Sequence, residues 1–117
     1  MEADTAGNVF LIRYFGAVTV AHMESSMPRA EQLLGQMRSG FTVLSDLTGL
    51  EVMELACSTY LTRMMELFKA RGVGMVIRVI PDPSKDIGLN ILSLIHFRGK
   101  VKIVTCATMA EAKRAMK

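Results

Sequence analysis

Four short apolar runs, each followed by a segment with helical spacing, constrain this 117-residue chain more than any other feature. The first run, Val9 to Phe15, is β-branched and aromatic, as strands are, and Gly16 is expected to end it. Thr19 then caps a helix over 20–38, with Val20, Met23, Met27, Ala30, Leu33, Leu34 and Met37 on one face. Pro28 lacks a backbone donor and crowds the turn before it, which predicts a kink or a restart at Ser25 or Ser26. A strand over 41–46 and a helix over 52–70 follow, and Gly72 suits a left-handed stop. The run 73–80 is apolar apart from Arg78, as a strand covered on both faces would be. Pro81-Asp82-Pro83 predicts a turn, Ser84 or Asp86 a cap, and 85–97 a helix that Gly99 closes. A strand over 101–106 and a helix over 108–116 complete the order, with Thr108 and Glu111 spaced as a capping box. Strict alternation implies a single α/β domain with a mainly parallel four-stranded sheet and crossover helices, in (β-α)4 order. The domain is expected over 9–117, behind a flexible N-terminal tail at 1–8.

The bulk numbers narrow the function classes. Half the residues are apolar and 21% are charged, a balance suited to one globular core and not to disorder. No run of about 18 apolar residues exists, so no membrane span is expected, and the acidic start lacks the basic region of a signal peptide. Cys57 and Cys106 have neither metal nor redox spacing and read as buried, reduced thiols of a cytoplasmic protein. Residues 1–60 carry three Lys/Arg against seven Asp/Glu, net −4, whereas 61–117 carry eleven against four, net +7. No Lys/Arg run exceeds two residues, so the asymmetry reads as solvated helix backs and no nucleic-acid partner is expected.

Catalytic and cofactor motifs are missing from the sequence. It holds no G-x-x-x-x-G-K-[ST], no G-x-G-x-x-G and no H-E-x-x-H. His22 and His96 stand apart and read as helix-surface or partly buried histidines, not ligands, and Cys57 has no evident activating base. Glu51 and Glu54, three apart, would share a helical face and complement the dipole of a first turn. The expectation is therefore no enzyme, no catalytic residue, no metal and no cofactor. Ten methionines, many at helical core positions, read first as core filling. The rival is an adaptable surface or a pocket for a small apolar ligand or lipid, because Met repacks easily.

The stretch Asp46-Leu47-Thr48-Gly49-Leu50, between the second run and the helical segment that follows, carries a resemblance. It is similar to the signature of STAS domains, the sulfate-transporter and anti-sigma-factor-antagonist family. In that family the turn reads D-L-S-G-V-x-x-x-D-S-S-G, and the second serine of the pair is the phosphorylation switch. The match extends over almost the whole chain. Phe10 to Thr19 resembles the opening strand followed by G-x-L-[DT], and Leu89 to Met116 resembles the closing helix-strand-helix. At the switch, however, this chain has Glu54, Leu55, Ala56 and Cys57, so Ala56 stands where the acceptor serine would be. Ser58 and Thr59 are the substitute acceptors, but a helical residue turns by about 100° per position, which would aim them elsewhere.

The resemblance implies a STAS-like fold and a bacterial, cytoplasmic signal-transduction module that regulates by protein binding, without the switch. The docking face expected from it centres on Leu50, Glu51, Glu54, Leu55, Ala56, Ser58 and Thr59. The partner it implies is an anti-sigma kinase or another STAS-type protein, with a homodimer also open. The alternative reading is a STAS-like carrier or sensor of a small apolar ligand or lipid.

Overall fold

A computed structural model describes residues 1–82 and 101–116, and the expected helix over 85–97, with His96, lies outside the described residues. The described elements run β1 (Glu2–Asp4), β2 (Val9–Val18), α1 (Val20–Leu34), β3 (Thr42–Met53), a 3₁₀ turn (Leu55–Cys57), α2 (Ser58–Ala70), β4 (Met75–Val79), β5 (Lys102–Cys106) and α3 (Met109–Ala115). The strands form one sheet in the order β1-β2-β3-β4-β5. β2 to β5 are mutually parallel, and β1 pairs antiparallel with β2. Five strands thus replace the four expected. The fifth is β1, drawn from the segment expected to be a flexible tail.

Local bonds explain why that segment is ordered. The Gly7 N–H donates to Asp4 Oδ1 at 3.0 Å inside the β1–β2 turn. Asn8 and Arg38 then clamp each other: Asn8 Nδ2 donates to the Arg38 carbonyl at 3.1 Å, and the Arg38 N–H donates to Asn8 Oδ1 at 2.8 Å. Arg38 also donates from Nη1 to the Thr5 carbonyl at 3.0 Å. The turn is therefore tied to the loop that follows α1.

Alternation along the strands divides the core into two layers. Phe10, Ile12 and Tyr14 on β2, with Val43 on β3 and Val76 on β4, face α1 and α2. Leu44, Ile77, Val79 and Cys106 face the other way, toward Ala112 of α3. Phe10 is fully buried and meets Phe68 of α2 edge-on, with ring centroids 5.5 Å apart. Burying such a side chain is worth roughly 1.5–3 kcal/mol. Met23, Met64 and Met65 are buried in the same layer and Met27 is half-buried against it, so the methionines of α1 and α2 fill core. Met37 and Met53 also pack half-buried against it, but Met37 follows the end of α1 and Met53 ends β3, so neither is helical.

Helix ends follow their caps. Thr19 and His22 form a reciprocal box at the start of α1, the His22 N–H donating to Thr19 Oγ1 at 3.2 Å and the Thr19 N–H to His22 Nδ1 at 3.4 Å. α1 passes Pro28 without a restart, and the Ser25 and Ser26 hydroxyls both donate to the His22 carbonyl in the turns before it. It ends at Leu34, short of the expected 38. After α2, the Gly72 N–H reaches the Lys69 carbonyl at 3.1 Å and the Val73 N–H the Phe68 carbonyl at 3.0 Å, the paired bonds of a Schellman motif, with Gly72 at φ +84 as expected. Thr108 caps α3, but Glu111 accepts from the Ala107 N–H at 3.0 Å, one residue before the bond that a full capping box would make.

Candidate functional site

β2 and β3 continue together past the end of β4, and the expected site residues lie on this two-stranded extension and in the turn that follows it. β4 pairs with β3 only from Thr42 to Asp46, whereas β2 pairs with β3 through Val18 and Met53. The expected ends at Phe15 and Asp46 are therefore wrong, as is the expected helix start near Val52. Asp46 to Met53 is extended, and α2 begins only at Ser58.

The reason is a pair of irregularities that let a strand run through a sequence resembling a turn. Register shifts fall between Arg13 and Phe15 and again between Gly16 and Ala17. β3 absorbs an extra residue at each, the second being Glu51. Gly16 sits at φ +56, which only glycine adopts cheaply, so it bends the strand where it was expected to end it. Gly49 lies under the Phe15 ring, where a Cβ would come within 2.8 Å of Phe15 Cδ1. The Asp46 carboxylate accepts the Thr48 N–H at 2.9 Å and meets Arg13 Nε at 3.7 Å, so its bonds hold the bulge instead of capping a helix.

This geometry sorts the expected site residues. Leu50 is 4% exposed and packs in the core, so it offers no contact to a partner. Leu55, on the 3₁₀ turn, is 92% exposed, and Ala56, Ser58 and Thr59 are exposed beside it. Glu51 and Glu54 lie in extended chain and share no helical face. Glu54 Oε1 instead accepts the Val20 N–H at 3.2 Å, and the Glu54 N–H donates to the Val18 carbonyl at 3.0 Å. A carboxylate at the start of α1 complements the helix dipole, although the helix is not its own. Charge reversal of Glu54 is therefore not a silent surface change. Glu54→Lys is expected to lower stability by about 1 kcal/mol, read as a shift in urea midpoint at constant slope.

Sequence reasoning missed two apolar positions here. On the extension, Phe15 is 68% exposed and Val52 59% exposed. No local signal marked Val52: strict alternation would put it on the same face as buried Leu50, and only the bulge at Glu51 turns it outward. A groove of about 160 Å³ lies alongside, lined by Met53, Glu54, Leu55, Ser58 and Leu61.

Two further features lie under the helices. Tyr14, Ser45 and Arg78, all buried, line a void of about 20 Å³ with Met64, Met65 and Phe68 of α2. Burial pushes the Tyr14 hydroxyl up to about 12, against the pull of the Arg78 charge. The second is a cleft of about 340 Å³ between β2 and α1, whose walls include Met1, Met23, Met27 and Met64.

The thiols show no sign of activation. Cys57 and Cys106 are free and buried. Burial raises the pKa of each, helped by Glu54 at Cys57 and by Glu111 at Cys106. Both are expected to resist alkylation by iodoacetamide at pH 8 in the folded protein and to react promptly once unfolded, scored by intact mass. Among the described residues no group of three His, Cys, Asp or Glu is placed to hold a metal, and no helix is long and apolar enough to cross a membrane.

No family model matches the sequence, and no curated protein matches it. Solved structures do match the fold. An uncharacterised protein of the DUF3478 family from Shewanella loihica, described as having a SpoIIAA-like fold, superimposes with a TM-score of 0.70 at 13% identity, over 92% of this chain and 82% of that one. The anti-sigma factor antagonist SpoIIAA in its unphosphorylated form superimposes with a TM-score of 0.58 at 21% identity, over 92% of this chain and 88% of that one. With its parallel β2–β5 sheet, its antiparallel edge strand and α1 and α2 on one face, the chain has a SpoIIAA-like fold.

Proposed function

We propose that this chain is a non-enzymatic regulatory module that docks to a protein through the tip of the β2–β3 extension and the 3₁₀ turn after it. The observation that carries the reading is the exposure of two large apolar side chains within four residues, Val52 near the end of β3 and Leu55 on the 3₁₀ turn, with Leu55 lining the groove. Large apolar side chains grouped in this way on a small domain mark contact surfaces. Glu51, Ser58 and Thr59 form the polar rim, Leu50 braces the extension from inside, and Glu54 ties it to α1. The partner class is an anti-sigma kinase or a second STAS-type protein. Photocrosslinkers placed at Val52 and Leu55 test the location. Specific adducts from these positions, and none from Lys113 on α3, support it; equal adducts from all three overturn it.

Position 56 is exposed, as an acceptor must be, but alanine has no hydroxyl. Docking by this chain is therefore constitutive in our reading. Incubation with an anti-sigma kinase and ATP is expected to leave residue 56 unmodified. Ala56→Ser is expected to remain a poor acceptor, because Glu54, Leu55 and Cys57 replace the family's flanking residues. Phosphopeptide mass spectrometry reads both. Robust modification of Ser58 or Thr59 in the wild type would remove the constitutive reading.

A second reading, carriage or sensing of a small apolar ligand, is favoured by the methionine-walled cleft between β2 and α1. Its volume lies at the lower end of the roughly 300–1,000 Å³ of ligand pockets. Native mass spectrometry of freshly purified protein tests it through a co-purified small molecule.

A further inference from the structure

The charges around that cleft select among apolar ligands. Its apolar walls are Ile12 and Phe15 on β2, Met23 and Met27 on α1, and Met64 on α2. The polar groups in the same wall are Arg13, Arg29, His22, Ser26 and Tyr14, and no carboxylate lines it among the described residues. Arg13 is partly neutralised by Asp46 at 3.7 Å and Glu2 at 3.9 Å. Arg29 is exposed and makes no ion pair among the described residues. His22 Nδ1 accepts the Thr19 N–H, which leaves the proton of the neutral ring on Nε2 and makes that edge a donor. The cleft thus joins a polarizable, adaptable apolar wall to a rim whose free charge is positive.

We propose that the β2–α1 cleft binds a single-chain anionic amphiphile, with its acyl chain among Met23, Met27 and Met64 and its anionic head on Arg29, assisted by His22. The proposal rests on the second reading above and adds the head group to it. At about 30 Å³ for each water-sized group, 340 Å³ holds a chain of about ten carbons. The guanidinium suits a carboxylate or a phosphate monoester, since both match its planar fork. An uncharged chain of the same length would keep the apolar contacts and lose the rim.

Calorimetric titration of the purified protein with sodium decanoate and with 1-decanol, in low salt, separates the parts of the proposal. Decanoate is expected to bind about fivefold more tightly than decanol. Arg29→Gln, an exposed change on α1, is expected to erase that difference while leaving decanol affinity unchanged. Met27→Trp, confirmed folded by circular dichroism, is expected to block both ligands by filling the cleft. Equal affinities for the two ligands in the wild type would overturn the anionic head and leave apolar carriage standing. Binding of neither ligand would remove both. Decanoate binding that survives in folded Met27→Trp would place the site elsewhere and overturn the proposal, as would binding to phosphatidylglycerol vesicles without binding of monomeric decanoate.

Discussion

Leu55→Asp is expected to reduce partner affinity by about 2 kcal/mol or more, roughly thirtyfold, with little change in folding stability. The two effects separate because Leu55 is 92% exposed: its side chain makes few contacts within the domain, and a charge at that position stays in water. At the centre of an interface the same carboxylate would be desolvated without a partner. The control is Leu50→Asp, five residues upstream in the same motif. Leu50 is 4% exposed in the layer facing α1 and α2, so a charge there is expected to unfold the domain. Partner titration and urea unfolding of both variants score the result. Retained affinity in folded Leu55→Asp would move the interface away from the 3₁₀ turn and sink the docking reading as stated.

Alkaline pH is expected to weaken the fold through Tyr14. Its hydroxyl titrates near 12 in the folded domain, against about 10 in an unfolded chain. Below pH 10 both states keep the proton, and Tyr14 adds no pH dependence. Above pH 10 the unfolded chain loses it first, so the folded state binds more protons and stability falls as pH rises. A gap of about two pH units corresponds to a total loss of about 2.7 kcal/mol, of which about 2 kcal/mol should appear between pH 9 and 11.5. The buried thiols push in the same direction, so the informative comparison is between wild type and Tyr14→Phe at each pH. Urea midpoints that fall equally in both proteins would show that Tyr14 ionises freely in the folded state. A domain of this size holds about 5–15 kcal/mol in all, so the predicted loss is large enough to measure.

The elements that were legible in the sequence are those whose cause is local. Thr19 starts α1, Gly72 ends α2 and Thr108 starts α3, each through bonds within a turn of itself. The nearly unbroken apolar character of 73–80 announced a strand covered on both faces, and β4 does bury Val76 toward α1 and α2 and Ile77 and Val79 toward α3. Arg78, breaking an otherwise apolar run, was visible as an anomaly, but not its position beside Tyr14 and Ser45 under α2. That grouping needs three strands side by side, and nothing near any of these residues announces it.

From the sequence alone came the α/β alternation, the parallel core and a resemblance whose implied fold matches the solved structures. Only the tertiary structure decided what residues 46–57 do. Asp46, Thr48 and Gly49 are equally good at ending a strand, capping a helix or holding a bulge, so their local preferences do not choose among these. Pairing with β2, some thirty residues earlier in the chain, makes the choice: it keeps Gly49 to Met53 extended and delays α2 to Ser58. Leu50 is thereby turned inward, Val52 and Leu55 outward, and Glu54 toward the start of α1. The backbone of Gly49–Met53 fills its hydrogen bonds from β2, and the bends at Gly16 and Glu51 let the two strands stay in register long enough to supply them.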